Sequence, residues 1–312
     1  MLGLSSTFSS PINSFHFTKL ECRTKNYSMI TILEAINLSS QYLDQKGIES
    51  SRMNAELLLA DIIGCKRLDL NLSYDKPLSE EEVNKYREFI RRRGKFEPLQ
   101  YIIGKVEFFG MDFKVNPDVL IPRQETEILI ETILNIYPKE KELLILDIGC
   151  GSGIIGISLT KSLPTAKVIF TDISEAALSI TKENAEKHCI TDRIKIIKHN
   201  ILNETLNDFP ELDIIVSNPP YVSKTDFGTL QREIKDYEPR IAVTDESDGY
   251  TFYKVIAAKS FDKLKSGGKL FFEIAQGQSK LVKNILEENH FINIKTVKDY
   301  QNIDRVIFGE IK

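Results

Sequence analysis

From Leu143 onward the chain alternates apolar runs of strand length with helical stretches, and this alternation restricts the fold more than any other feature. Strands are expected at Leu143 to Ile148, Lys167 to Thr171, Ile194 to Lys198, Leu212 to Val216, Lys269 to Ile274, Ile292 to Val297 and Arg305 to Gly309. Helices are expected at Ile154 to Ser162, Ser174 to His188, Tyr250 to Leu264 and Ser279 to Asn289. Strands separated by helices build a parallel sheet with both faces covered. Only Lys298 to Asp304 separate the last two strands. That is too short for a helical crossover, so they should pair antiparallel at one edge. The expectation is an α/β fold with a mostly parallel seven-stranded sheet and an antiparallel edge hairpin.

Ahead of this region the periodicity is helical. Leu33, Ile36 and Leu43, then Leu57, Leu58 and Ile62, recur at helical spacing, and Gly47 and Gly64 end the two runs. Ser79 and Glu82 form a capping box that opens a third helix running to about Arg93. These segments make a small helical domain over residues 29–95. The run Arg91-Arg92-Arg93 has two readings, a phosphate contact or basic residues favouring a helix C-terminus, and the second is preferred. Tyr101 to Val115, with Gly104 and Gly110, reads as a β-hairpin, placing a linker at 96–118 and the main domain at 119–312. Pro122 to Glu127 should open a helix reaching Tyr137, with Arg123 and Glu127 as an i,i+4 pair.

With 41 Lys and Arg against 45 Asp and Glu, the net charge is −4 and basic residues are dispersed. Tight electrostatic binding to nucleic acid is not advertised. Cys22, Cys65, Cys150 and Cys189 lack the spacing of a zinc site or a disulfide framework, which suits a reducing cytoplasm. No apolar run approaches the roughly 20 residues that span a bilayer. Residues 1–28 are rich in Ser, Thr and Phe, with Glu21 the one acid and Arg23 the one arginine. An organellar transit peptide would carry more arginine. An over-extended start, with initiation at Met29, is the preferred reading.

Two stretches carry chemistry. Asp147-Ile148-Gly149-Cys150-Gly151-Ser152-Gly153 ends the first strand of the sheet in a glycine-rich turn, where the backbone can approach a ligand closely. A carboxylate at Asp147 would repel phosphate, which argues for a cofactor without pyrophosphate. Asp172 closes the second strand about 20 residues later, where an acid can take both hydroxyls of a ribose, although it could instead cap the next helix. At the third strand end, Asn200 could bond adenine's amine while Ile201 packs on the ring. The fourth ends in Asn218-Pro219-Pro220-Tyr221. Proline fixes its own φ and pushes the preceding residue toward extended geometry, so the acceptors beside it are held outward. Four such strand ends would meet at one rim, near the switch point where open α/β sheets bind ligands.

These residues resemble the Rossmann-like methyltransferases that use S-adenosylmethionine. The segment Asp147 to Gly153 resembles their first motif, with Asp147, Gly149, Cys150, Gly151, Ser152 and Gly153 at the cofactor, and Asp172 resembles the ribose acid. Asn218-Pro219-Pro220-Tyr221 resembles the signature of amino-nitrogen methylation, which also sets Asn218 beside the cofactor. Pro98 to Gly104, Ile121 to Glu127, Tyr237 to Arg240, Asp248-Gly249, Glu273 to Gln278 and Asp299 to Gly309 resemble one family in particular, HemK/PrmC. The resemblance spans about Met29 to the end. It implies methylation of the Gly-Gly-Gln glutamine of peptide-chain release factors on side-chain N5, by a cytoplasmic monomer whose helical domain docks the release factor.

In that chemistry the Asn218 side-chain oxygen and the Pro219 carbonyl would accept the two amide N–H groups, with Pro220 and Tyr221 completing the slot and Tyr221 stacking on the amide plane. No dedicated general base is expected. Val222 to Asp248 has the length of a functional lid, and Glu233, Glu238 and Arg240 either read the partner's backbone or form a solvated loop face. Two other readings stand beside this one. An adenine-N6 DNA methyltransferase would need a basic cleft, and a non-catalytic adaptor would not bind S-adenosylmethionine.

Overall fold

A computed structural model describes residues 29–312 and divides into two compact units, one ending at Ile103 and one running from Gly104 to Lys312. The readings made for residues 1–28 lie outside the described residues. In the first unit, α1 (Ile32–Gln45) begins in a capping box between Thr31 and Glu34. Helix α2 (Ser51–Ile63) ends at Gly64 with φ 76°, a left-handed conformation that glycine adopts at low cost. Helix α3 (Glu80–Arg93) opens on the Ser79–Glu82 capping box. Leu43, Leu58, Leu59 and Ile90 meet in the core of this unit.

The three arginines closing α3 are engaged within the unit. Arg91 pairs with Glu88, Arg92 pairs with Glu97, and buried Arg93 donates to Asn54 Oδ1 at 2.7 Å. Of the three, only Arg91 stays exposed. The expected hairpin begins later than its alternation suggested, because Leu99–Ile103 forms a short helix, α4. The Pro98 carbonyl accepts from the Tyr101 and Ile102 amides and starts that turn.

In the second unit the hairpin is β1 (Lys105–Phe108) and β2 (Met111–Lys114). It is not a free linker. Phe108 and Phe113 are buried in the same apolar cluster as Leu129 and Ile157. Helix α5 (Thr126–Ile136) starts after the expected Pro122, because residues 124–125 form a turn ahead of it. There follow β3 (Leu144–Ile148), α6 (Ile154–Ser162), β4 (Lys167–Asp172), α7 (Glu175–Lys187), β5 (Ile194–Lys198) and β6 (Leu212–Ser217). Three short helices come next, α8 (Lys224–Phe227), α9 (Arg232–Tyr237) and α10 (Arg240–Val243). The chain closes with α11 (Thr251–Phe261), β7 (Leu264–Glu273), α12 (Ser279–Glu288), β8 (Ile292–Lys298) and β9 (Asp304–Glu310).

The strand order is β5-β4-β3-β6-β7-β9-β8. The first five are parallel, and β9 runs antiparallel to both β7 and β8, so the edge hairpin stands as expected. Successive side chains of a strand point to opposite faces, and both faces here are covered. Phe170 and Phe271 enter one apolar cluster, while Leu146 and Phe272 enter the other with Tyr253. Chain order reverses between β3 and β6, so their carboxyl ends flank an open crevice. Among the described residues no helix is long and apolar enough to cross a membrane.

Candidate active site

The glycine loop after β3 is fastened from below. The Gly149 and Cys150 amides both donate to the Thr171 carbonyl, and Thr181 Oγ1 donates to the Gly151 carbonyl at 2.8 Å. Asn184 Nδ2 donates to the Ser152 carbonyl and to that of Lys114, so one α7 side chain ties the loop to the hairpin. Gly149 and Gly151 have φ 71° and 55°, and a Cβ on either would meet no protein atom within 4 Å. The loop therefore presents bare backbone to an open cavity whose wall includes Gly149, Cys150, Gly151 and Ser152. Gly153 lies beneath it as the N-cap of α6, with φ 81°.

Asp147 corrects an expectation. It is fully buried and outside the cavity wall, and its Oδ2 accepts from the Gly156 amide at 3.0 Å. An N-cap glycine has no side chain to satisfy the first turn of a helix, and Asp147 supplies the missing acceptor to α6. Burial raises its pKa to about 7, against the Gly156 hydrogen bond. Its carboxyl group holds the start of α6 and is not part of the cavity wall.

Asp172 does face the cavity. Its Oδ1 accepts from the Ser174 amide and its Oδ2 from the Gly151 amide. The helix-cap alternative falls to Ser174, whose hydroxyl accepts from the Ala177 amide. A carboxylate has about four acceptor sites, so Asp172 keeps capacity for two hydroxyl donors on the ligand side. Burial raises its pKa, and the backbone donors oppose the shift. Asn200 and Ile201 stand on the same wall. Asn200 Oδ1 already accepts from the Leu202 amide, and Ile201 is buried in the apolar cluster on that side. His199 Nδ1 pairs with Glu204, while its buried Nε2 has no partner.

Across the crevice, Ser217 Oγ donates to the Ile148 carbonyl at 2.7 Å and straps β6 to β3. Asn218, Pro219 and Pro220 then form cavity wall. Tyr221 does not. Its ring packs on the apolar cluster with Tyr250, and its carbonyl accepts from Gln278 Nε2 at 3.1 Å. Gln278 Oε1 in turn accepts from the Tyr253 hydroxyl and the Ala275 amide. Gln278 thereby fixes the Tyr221 backbone at the end of the turn.

The segment after the motif is folded. Val222 bridges to Thr244, and Asp245 accepts from the Ser247, Gly249 and Thr251 amides. Glu238 is buried, accepts from the Ile121 amide and pairs with Arg123 at 2.5 Å. This replaces the expected Arg123–Glu127 pair, and Glu127 instead accepts from the Phe109 amide. Arg240 pairs with Glu246 and stacks over Phe227 at 4.1 Å. Glu238 and Arg240 are thus spent on holding the segment down. Residues from both sides of the Arg123–Glu238 link, Pro122 and Pro239 among them, line the cavity.

Sequence reasoning gave no role to two further residues. Thr126 lies on the cavity wall while nearly inaccessible, and Glu273 is buried behind Asn218. Burial raises the Glu273 pKa to about 7, opposed by hydrogen bonds from Thr126 and Asn218 and by the Arg305 charge. An acid ending the apolar run Leu270-Phe271-Phe272 was the available signal.

Two family models match the chain, the PrmC N-terminal domain over residues 34–104 and the methyltransferase small domain over residues 124–236. The chain is 39% identical over 288 residues to the release factor glutamine methyltransferase of Geobacter sulfurreducens, covering 92% of this chain and 99% of the relative. To that of Fusobacterium nucleatum it is 40% identical over 279 residues, covering 89% and 78%. To that of Clostridium botulinum it is 38% identical over 265 residues, covering 85% and 94%.

Proposed function

The chain belongs to the release factor glutamine methyltransferase family, and from that premise we propose that it methylates the side-chain N5 of the glutamine in the Gly-Gly-Gln motif of a peptide-chain release factor, using S-adenosylmethionine. One observation carries the assignment of roles. Asn218, Pro219 and Pro220 stand on the wall of the same cavity as Gly149 to Ser152 and Asp172. A methyl donor held on one side is therefore within the same crevice as an amide held on the other.

The residues fit the cofactor. The backbone of Gly149 and Gly151 leaves space that any Cβ would enter, Asp172 retains acceptor capacity for a diol, and Ile201 offers an apolar face to a ring. When bound, S-adenosylmethionine supplies an electrophilic methyl group. The rest of the chemistry is positioning. A carboxamide nitrogen is a poor nucleophile because its lone pair is delocalised into the carbonyl. With its two N–H groups donated to Asn218 Oδ1 and the Pro219 carbonyl, the nitrogen is held in one orientation. Proximity and alignment supply about 7–11 kcal/mol in favourable cases. Once the methyl has moved, the nitrogen is acidic enough to lose its proton to solvent or a backbone acceptor, so no dedicated general base is invoked. Action as a monomer in the cytoplasm belongs to the same reading.

Incubation with release factor and labelled S-adenosylmethionine should place one methyl on the Gly-Gly-Gln glutamine, located by peptide mass spectrometry. Asn218→Ala should lose at least about a hundredfold in rate, in line with removal of a preorganised polar contact, while calorimetry still reports cofactor binding. Label in duplex DNA with none in the release factor would end the proposal, and intact transfer by Asn218→Ala would remove that residue from the mechanism.

A further inference from the structure

An asparagine side chain can serve as an acceptor only if its oxygen, not its nitrogen, faces the substrate. The two ends of the amide are nearly equal in shape, so shape alone does not choose between them. The choice at Asn218 is made from behind. Strands β6 and β7 pair Ser217 with Phe272, so Asn218 and Glu273 leave the sheet side by side. Glu273 is 2% exposed and its Oε2 has no hydrogen-bond partner. Thr126, the first residue of α5, is 1% exposed and stands between the cavity and that carboxyl group. Asn218 Nδ2 donates to Thr126 Oγ1 at 3.4 Å, and the Glu273 carboxyl group lies behind the two, where their donor groups oppose the rise in its pKa.

Above about pH 7, where Glu273 is ionised, the donors and acceptors close in one way. Ionised Glu273 is an acceptor without a donor. The one proton of the Thr126 hydroxyl goes to Glu273, which leaves Oγ1 as an acceptor toward Asn218. Asn218 therefore meets acceptors on its buried side. Its NH₂ group fits there, whereas its oxygen would be set against two acceptors in a site that water does not reach. The amide nitrogen turns inward and Oδ1 turns to the cavity.

We propose that Thr126 and Glu273 are positioning residues that fix the Asn218 amide with its oxygen toward the substrate glutamine. The inference rests on the reading of Asn218 as the acceptor for that glutamine. Without the pair, a turned Asn218 would present an NH₂ group to the substrate's own NH₂, and that fraction of the enzyme would be unproductive.

The test uses the full chain with release factor and S-adenosylmethionine. Thr126→Val keeps the shape and removes the hydroxyl. It should lower kcat about tenfold, the effect of one hydrogen bond to a charged group, with KM for release factor and calorimetric cofactor affinity each within about twofold of wild type. Thr126→Ser, which restores the hydroxyl, should recover kcat. Glu273→Gln should lower kcat further, because its own NH₂ would favour the turned Asn218. Wild-type kcat in Thr126→Val, no recovery in Thr126→Ser, or lost cofactor affinity in Thr126→Val would each overturn the positioning role. Two controls separate this failure from a failure of the functional reading. If the wild type leaves the release factor unmethylated, or if Asn218→Ala retains transfer, both fall together. If those controls behave as expected, a wild-type kcat in Thr126→Val refutes the positioning role alone.

Discussion

Replacing Glu273 by Gln should make the enzyme more stable as well as slower, and the gain in stability should appear only as the pH rises. Burial lifts the Glu273 pKa from 4.5 to about 7. The charges facing it are Arg305 from β9, which opposes the rise, and Glu125 from the turn before α5, which adds to it. Tyr221 from the motif and Tyr253 from α11 also feel its charge, and burial raises the pKa of both, so they stay neutral in this range. Between about pH 4.5 and 7 the folded protein holds a proton on Glu273 that the unfolded chain has released. Unfolding free energy must fall with rising pH across that window and level off above it. The difference of 7 − 4.5 units, at 1.36 kcal/mol per unit, amounts to about 3 kcal/mol. Glutamine does not titrate. Subtracting wild-type from Glu273→Gln stability should therefore give a difference that grows by about 3 kcal/mol from pH 4 to pH 8. Asp147, also raised to about 7, loses stability in the same window but cancels because both proteins carry it. Urea titrations followed by far-ultraviolet circular dichroism, without S-adenosylmethionine because a ligand would add its own linkage, provide the measurement. A difference that stays flat from pH 4 to pH 8 would refute the claim that Glu273 is buried at a cost in its ionised form.

Two other substitutions probe the remaining supports of the site. Gly249 has φ 84°, and a Cβ there would lie 2.6 Å from the Tyr221 carbonyl oxygen. Gly249→Ala should cost about 1–3 kcal/mol of stability from the backbone strain alone and lower kcat by displacing the turn, read by calorimetry and by the transfer assay; unchanged Tm and kcat would show that the turn tolerates the shift. Asp172→Asn would set an amide NH₂ against one of the backbone donors that Asp172 now accepts. Its S-adenosylmethionine affinity should fall about tenfold to a hundredfold by calorimetry, and an unaltered Kd would remove Asp172 from the cofactor site.

The sheet was legible because buried strands and amphipathic helices write their periods directly into the chain. The helix at Ile154–Ser162 and the strand at Ile194–Lys198 have the expected bounds. Strand β7 starts earlier than expected, at Leu264, because Gly267 and Gly268 interrupt the apolar run just where the pairing with β6 shifts register. Tyr101 to Ile103 misled because the apolar and small residues around them fit a strand as well as one helical turn, and a turn that short is decided by the Pro98 carbonyl. Asp147 misled for a different reason. A carboxylate before a glycine loop looks the same in sequence whether it faces a ligand or caps the following helix from beneath. The Arg123–Glu238 link and the Thr126–Glu273 pair were invisible because each joins distant segments that only the folded sheet brings together. Local spacing favoured Glu127 for Arg123, and tertiary placement won.

The cradle at Asn218 combines two properties that usually conflict. Its acceptors must be rigid, and the groups that make them rigid are polar groups held away from water. Pro219 and Pro220 fix the backbone, and Gln278 holds the Tyr221 carbonyl from the other side of the turn. The direction of the Asn218 amide still needs a buried acceptor, which a neutral side chain supplies ambiguously and a carboxylate supplies without ambiguity. A sequence selected for stability alone would have no reason to bury an acid whose ionised form costs about 3 kcal/mol. A local violation of this kind is expected where function needs it. Glu273→Gln should therefore move stability and kcat in opposite directions at pH 8. General loosening of the site would lower both, so the opposed signs distinguish a residue that orients Asn218 from one that merely packs behind it.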